Sequence, residues 1–249
     1  MNSRTRIGRT PLHGALSQGH VDVVSFLLAL PDINVAACDE SGFTSLYYAM
    51  HSELPSIIEK LLACPEIDVN MPGNTGMRVL HTAADRGRAS MVDFLLSQPD
   101  IDVNATDDSG GTPLHAAANT GHLNTIDRLL ACPDVDVTAL DDDGETALYA
   151  AAEAGHANIV DRLLSHISGN VNVATKEGST PLHAAAMFGN VDVAARLLAC
   201  PGVNLNAVDG DGKTPLDVAI GEANVAKSDN RASVVEMLRA QGAARSGEL

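Results

Sequence analysis

Apolar residues recur along the chain at helical spacing. Val23, Val24, Leu27 and Leu28 mark one such stretch and Ile159, Val160, Leu163 and Leu164 another, a pattern that sets one stripe of a helix against a core and leaves the rest polar. These amphipathic helices are predicted to end before Pro31, Pro65, Pro99, Pro133 and Pro201, each just past a Leu-Leu pair, because proline blocks continuation. A shorter helix precedes each of them. It opens on Thr-Pro, a capping hydroxyl followed by the residue best suited to the first helical position, and runs through small side chains such as Ala116-Ala117-Ala118. It closes at Gly121, as its counterparts close at Gly19, Gly87, Gly155 and Gly189, where glycine can turn left-handed. Short extended stretches such as Val135-Asp136-Val137 then lead into turns such as Asp141-Asp142-Asp143-Gly144. The predicted unit is helix, turn, helix, extended loop.

The unit repeats without slippage. Thr10-Pro11-Leu12-His13 returns as Thr44-Ser45-Leu46-Tyr47, Arg78-Val79-Leu80-His81, Thr112-Pro113-Leu114-His115, Thr146-Ala147-Leu148-Tyr149, Thr180-Pro181-Leu182-His183 and Thr214-Pro215-Leu216-Asp217, always 34 residues on. A fixed period of this length marks a solenoid or array, because one unit cannot bury its own apolar face and must stack on its neighbours. The segment 112–130, with Thr-Pro-Leu-His-x-Ala, Gly-His and a paired Leu, closely resembles the ankyrin repeat family, and the resemblance extends over roughly residues 7–243. It implies an all-α solenoid of seven stacked helix-turn-helix repeats, residues 1–249 forming one domain, with hairpin loops projecting from the stack. Residues 214–249 form its C-terminal cap. The family usually repeats at about 33 residues; the extra residue here falls in the surface connection Pro-Asp-Ile-Asp-Val-Asn, where it should alter loop shape more than core packing.

Three places depart from the pattern. Glu53-Leu54-Pro55 replaces Gly-His in the second copy, Arg78-Val79 replaces Thr-Pro in the third after Met71-Pro72-Gly73, and the seventh copy carries extra residues around Asn224 to Arg231. An atypical last copy is what a terminal repeat requires.

Composition narrows the function. Apolar residues make up 45% of the 249, yet there is no Trp, and only four Phe and three Tyr, so the core is built from Leu, Val, Ile and Ala. The net charge of −16 repels nucleic-acid backbones and anionic membrane surfaces. No apolar run approaches the roughly 18 residues of a membrane span, and the N-terminal residues lack a secretory apolar region. The expectation is an intracellular, cytoplasmic monomer, with no nucleic-acid partner and no direct membrane insertion.

Candidate chemistry dissolves into the period. Cys64, Cys132 and Cys200 lie 68 residues apart, two repeats, hence roughly 20 Å in a stack of helices about 10 Å apart, too far for a disulfide. His13, His81, His115 and His183 share one repeat position, where the resemblance implies an imidazole that hydrogen-bonds the neighbouring turn; His20, His122 and His156 share another. The Asp runs at 107–108, 141–143 and 209–211 end near Gly, but the twelve-residue calcium loop with its closing Glu is missing. No phosphate loop, GxSxG or HExxH occurs. The expectation is no enzyme, no cofactor and no metal.

What remains is a surface. The resemblance implies protein partners, met by the hairpin turns and the exposed end of the first helix. At those places the copies vary: Arg9, Phe43, Met77, Gly111, Glu145, Ser179 and Lys213 precede the repeated motif, and Met187-Phe188 ends the first helix of the sixth copy. Large apolar side chains beside charged ones are the usual anchors of an interface. The candidate partner-binding residues are Phe43, Met77, Glu145, Met187 and Phe188, with Asp108, Asp142, Asp143 and Asp211 at the hairpin tips, and the acidic edge favours a basic protein. The alternative is a repeat segment of a larger multidomain or membrane-attached protein, serving as a spacer or recruitment arm.

Seven units at about 10 Å each give a particle about 70 Å long. Small-angle scattering should show an elongated, curved particle; a spherical profile would refute the stacked arrangement.

Overall fold

The computed structural model describes residues 2–52, 54–167, 169–225 and 229–249. Among them the chain forms seven helix pairs, each starting at the repeated motif. They are α1 (Pro11–Ser17) with α2 (Val21–Leu28), α3 (Ser45–His51) with α4 (Pro55–Leu62), α5 (Val79–Asp85) with α6 (Ala89–Leu96), and α7 (Pro113–Thr120) with α8 (Leu123–Leu130). After them come α9 (Ala147–Ala154) with α10 (Ala157–Leu164), α11 (Pro181–Phe188) with α12 (Val191–Ala199), and α13 (Pro215–Val225) with α14 (Asp229–Ala240). First helices stack on first helices and second helices on second helices, giving two layers with the core between them. Part of the extra stretch of the seventh copy, 226–228, lies outside the described residues, as does Glu53 of the second.

The helix starts follow the sequence closely. Thr44 Oγ1 accepts the Tyr47 N–H at 3.2 Å and Thr146 Oγ1 accepts that of Tyr149 at 3.2 Å, which satisfies donors that a helix leaves free in its first turn. Arg78 has no short hydroxyl for this task. Its guanidinium instead reaches the carbonyls of Gly76 and Thr106, so the third copy exchanges a local cap for a tie to the next loop. The expected left-handed glycines are present, with Gly121 at φ 87 and Gly155 at φ 83.

The extended stretches do not pair as strands; the lone bridge pair among the described residues joins Cys38 to Thr44. Side chains do the pairing instead. Asn104 donates through Nδ2 to the Asp134 carbonyl at 2.7 Å and accepts the Asp136 N–H at 2.8 Å. Asn70 does the same with Asp100 and Asp102, Asn172 with Gly202 and Asn204, and Asn2 with Asp32 and Asn34. Each amide thus replaces two rungs of a sheet with a bond across the repeat boundary. A second ladder links neighbouring second helices: Arg128 to Asp93 at 3.5 Å, Arg162 to Asp127 at 2.7 Å, and Arg196 to Asp161. All these ionic groups are substantially exposed, so they set register more than stability.

The core lies between the helix layers. The first Leu of each pair is buried, from Leu61 and Leu95 to Leu129, Leu163 and Leu197, all at 0% exposure, while the second Leu is half-buried in most copies. Thr125 is an exception among apolar equivalents. It takes the place of Ile57, Met91, Ile159 and Val193, is fully buried, and its hydroxyl has no partner. Leu197→Ala should therefore cost about 2–5 kcal/mol, whereas Thr125→Val, which keeps the shape and removes an unsatisfied hydroxyl, should stabilise by about 1 kcal/mol. Urea unfolding of both variants checks this, and a Thr125→Val protein weaker than wild type would show that the hydroxyl is satisfied.

Candidate functional site

The inner side of the solenoid is made by the first helices and the hairpins that precede them, and imidazoles lock the two together. In the fourth copy the Thr112 N–H donates to His115 Nδ1 at 3.2 Å. Nδ1 must then be the acceptor, so the proton sits on Nε2, which donates to the Glu145 carbonyl at 3.1 Å. His81 makes the same bridge to Gly111 and His183 to Lys213, while His13 reaches the Ala37 carbonyl. Burial is the main force holding all four below the ordinary imidazole value of 6.5. The carbonyl in three of these bridges belongs to the variable residue just before the next motif. Its backbone is fixed there, and its side chain is free to vary.

The hairpins are closed by their first aspartate. Asp141 Oδ1 accepts the N–H of Asp143 at 2.9 Å and of Glu145 at 2.8 Å, and Asp39, Asp107 and Asp209 repeat the arrangement. Neighbouring tips then join backbone to backbone: Asp142 N–H donates to the Ser109 carbonyl at 2.8 Å, and Lys176 N–H to that of Asp143 at 2.8 Å. Glycine is required at these junctions. Gly110 has φ 77, and a Cβ there would lie 2.6 Å from the Asp142 nitrogen. So Asp107, Asp141 and Asp209 are occupied with structure, while Asp108, Asp142, Asp143 and Asp211 are exposed along the row of tips.

The other candidate residues fall into three places. Phe43 stacks on Tyr47, with ring centroids 4.0 Å apart and planes 13° from parallel. Both are half-buried, and with Met77 and the exposed Met71 they surround one shallow depression at the junction of the second and third copies. Glu145 stands near the middle of the solenoid. It is half-buried and its pKa is pushed up to about 7, first by burial and then by Asp141, Glu153 and Asp143. Met187 and Phe188 end α11 at 43% and 48% exposure. Met187, with Tyr149, Glu177, Asp209, Asp211 and Val218, lines a recess of about 590 Å³ between the hairpins and first helices of the last copies. The three places are not one pocket but stations along a groove.

Sequence reading missed Tyr47 and Tyr149, which occupy the repeated His position. The signal was present in the period itself as a departure from His: Tyr47 stacks on Phe43, and the buried Tyr149 donates its hydroxyl to Ser179 Oγ at 3.3 Å while lining the recess beside Met187. The charge is also unevenly distributed: residues 93–249 hold 23 of the 32 acidic groups but 9 of the 16 basic ones. Among the described residues, no group of three or more His, Cys, Asp or Glu could hold a metal ion, and no helix is long and apolar enough to cross a membrane. The cysteines described are all free.

A family model for ankyrin repeats, three copies long, matches residues 1–73, 37–107, 54–141, 80–174, 125–209 and 167–244. No curated protein matches the chain. Among solved structures, the crystal structure of the ankyrin repeat domain of Bcl-3, described as a unique member of the IkappaB protein family, is similar with a TM-score of 0.75. That likeness is at 28% identity and covers 93% of this chain and 99% of the other.

The bridging histidines make stability depend on pH. Their folded-state values lie below 6.5, so as pH falls through that region the unfolded chain takes up protons first. Their contribution is complete above about pH 6.5 and is lost progressively below it. Glu145 acts in the opposite sense, since its raised value relieves repulsion as pH falls through about 7, but it is one group against four. The urea midpoint should therefore drop between about pH 7.5 and pH 5.5, and His115→Gln should reduce the drop. An unchanged midpoint would mean that the imidazoles are not held neutral.

Proposed function

The chain belongs to the ankyrin repeat family, and from that premise we propose that it is a non-catalytic scaffold. It binds a basic protein partner through its hairpin tips and the concave face of its first helices. One observation supports this reading: the residues that recur in most copies are consumed in holding the stack together, whereas several that vary leave their side chains exposed or half-exposed beside the groove. His115 and Asp141 are spent on the hairpin backbone. Glu145, Met187 and Asp211, at varying positions, are not. A scaffold divided in this way can change its partner without changing its fold.

The chemistry of the partner follows from the groove. Its C-terminal recess is acidic, with Glu177, Asp209 and Asp211 lining it together with the exposed Met187, next to which Phe188 is exposed as well. That combination favours a segment carrying Lys or Arg beside an apolar anchor, with long-range attraction speeding the encounter and apolar burial holding the complex. Recognition of this kind needs no cofactor and no reacting group. The four cysteines are free thiols, which fits an intracellular, cytoplasmic site of action.

Phe188→Ala should change stability by less than about 1 kcal/mol, because the ring is 48% exposed. The same substitution should weaken partner binding by about 2 kcal/mol or more. Titration with a partner recovered by affinity capture, alongside urea unfolding, separates the two effects. Association should slow as salt rises; a Phe188→Ala protein that is severely destabilised, or an on-rate indifferent to ionic strength, would sink the assignment.

A further inference from the structure

We infer that the junction between the second and third copies is a joint, dividing the solenoid into two blocks that rock against each other and change the curvature of the groove. Copies one and two form one block, copies three to seven the other. Three ladders of side-chain bonds cross the other junctions, and all three lapse at this one. The first is the asparagine rung. Asn2, Asn70, Asn104 and Asn172 each tie one loop to the next, but the equivalent residue at this junction is Ala36. Glu66 and Asp68, which an amide would engage, lie across a crevice of about 130 Å³ lined also by Thr44, Ile67 and Met71.

The second ladder is the imidazole bridge. His13 and His81, in the copies on either side, reach the hairpin that follows them, whereas Tyr47 takes the same position in the second copy and stacks on Phe43 instead. The third runs between second helices. Lys60 Nζ donates to Ser25 Oγ at 3.2 Å, and Arg128, Arg162 and Arg196 pair with Asp93, Asp127 and Asp161. At the junction of copies two and three the equivalent positions hold Phe94 and Glu59, so no ion pair forms. The junction of copies five and six comes nearest, with Thr138 for Asn and Tyr149 for His. It still has the Tyr149 hydroxyl on Ser179 and the Arg196 pair with Asp161.

Packing agrees with the bonds. α3 and α5 are the least closely packed neighbours of the first layer, and α4 and α6 of the second. Met71 marks the seam: it replaces Ala37 and Ala105, which are 3% and 4% exposed, and is itself 41% exposed beside both lapsed ties. What still crosses lies along the hairpin tips and the ends of the first helices. Asn74 Nδ2 donates to the Glu40 carbonyl at 2.8 Å, Arg86 to His51 Nδ1 at 2.6 Å, and Arg88 to the carbonyls of Met50 and His51. Arginine side chains have many rotamers, so such bonds persist over a range of angles. A stack held by nearest-neighbour contacts gives way at its weakest interface; the blocks pivot at the groove rim and part along the second helices. Phe43 and Tyr47 lie in one block and Met77 in the other, so the aromatic station changes shape with the joint, while the acidic recess stays within the larger block.

The chain's own thiols supply the test. Cys64, Cys132 and Cys200 are free and occupy equivalent positions two copies apart; the first interval spans the joint and the second does not. Pulsed electron resonance on the full chain reads the spread of each distance, with spin labels on Cys64 and Cys132 in a Cys38→Ser/Cys200→Ser chain and on Cys132 and Cys200 in a Cys38→Ser/Cys64→Ser chain. The first distribution should be the broader. Restoring two ties with Ala36→Asn and Tyr47→His should narrow it to the width of the second, and should slow amide exchange in α3 and α4 about ten-fold, as one or two recovered hydrogen bonds would. Ala36→Asn alone, at an exposed position, should do part of both. No partner enters the measurement, so its failure leaves the proposed function standing. Equal widths in the two intervals, or a first interval that stays broad once the ties are restored, would overturn the inference.

Discussion

Each buried imidazole that joins one repeat to the next has to stay neutral for the stack to hold. In the fourth copy a backbone N–H enters Nδ1 and a proton on Nε2 leaves toward the next hairpin, so adding a second proton would set two donors against each other. Burial keeps that proton off. The bond does two jobs at once: it closes the first turn of a helix, and it fixes the backbone immediately before the next helix. Relative placement of consecutive units is thereby made local, and a solenoid of any length can be built from pairwise contacts.

The other regularities are secondary to that bridge. Once the hairpin root is held, the first aspartate of each tip can fold the turn onto its own oxygen, and the tips can join in a continuous row. The asparagine amides join consecutive loops after the second helices, where no strands pair among the described residues. Where His is replaced, the structure compensates. At the C-terminal end Asp217 receives the N–H groups of Thr214 and Ser246 and the guanidinium of Arg245. Burial alone would raise its pKa, but these bonds outweigh it and hold the carboxyl well below the usual range. The last copy therefore binds the returning chain with the group that earlier copies use to bind a successor.

Function and stability are separated by the same device. Because an imidazole from the previous copy holds the backbone of Gly111, Glu145 and Lys213 just before the motif, the side chains there can differ without loosening the array. That freedom is where a groove with an aromatic station at one end and an acidic, apolar-floored recess at the other can arise. The price is a half-buried Glu145 in the company of Asp141, Glu153 and Asp143, a repulsion that a basic partner would relieve.

Much of this was legible in the sequence because it is periodic. The 34-residue step, the Thr-Pro helix starts, the glycine stops and the Leu stripe are local signals, and each fixes backbone geometry through capping, steric limits or amphipathicity. The roles of His13, His81, His115 and His183 came from the resemblance that the period exposed. Tertiary structure alone decided the rest. Which Leu of each pair is fully buried depends on the neighbouring layer, as Leu197 and its half-buried neighbour Leu198 illustrate. Division of the Asp runs into turn-formers and exposed tips depends on hydrogen bonds that two identical side chains compete to make. The meeting of Phe43 with Met77, 34 residues on, and the exposure of Met71 where Ala37 and Ala105 are covered, are facts about what lies beside a residue rather than along the chain. A repeated sequence states what each unit is; only the stack states what each unit touches.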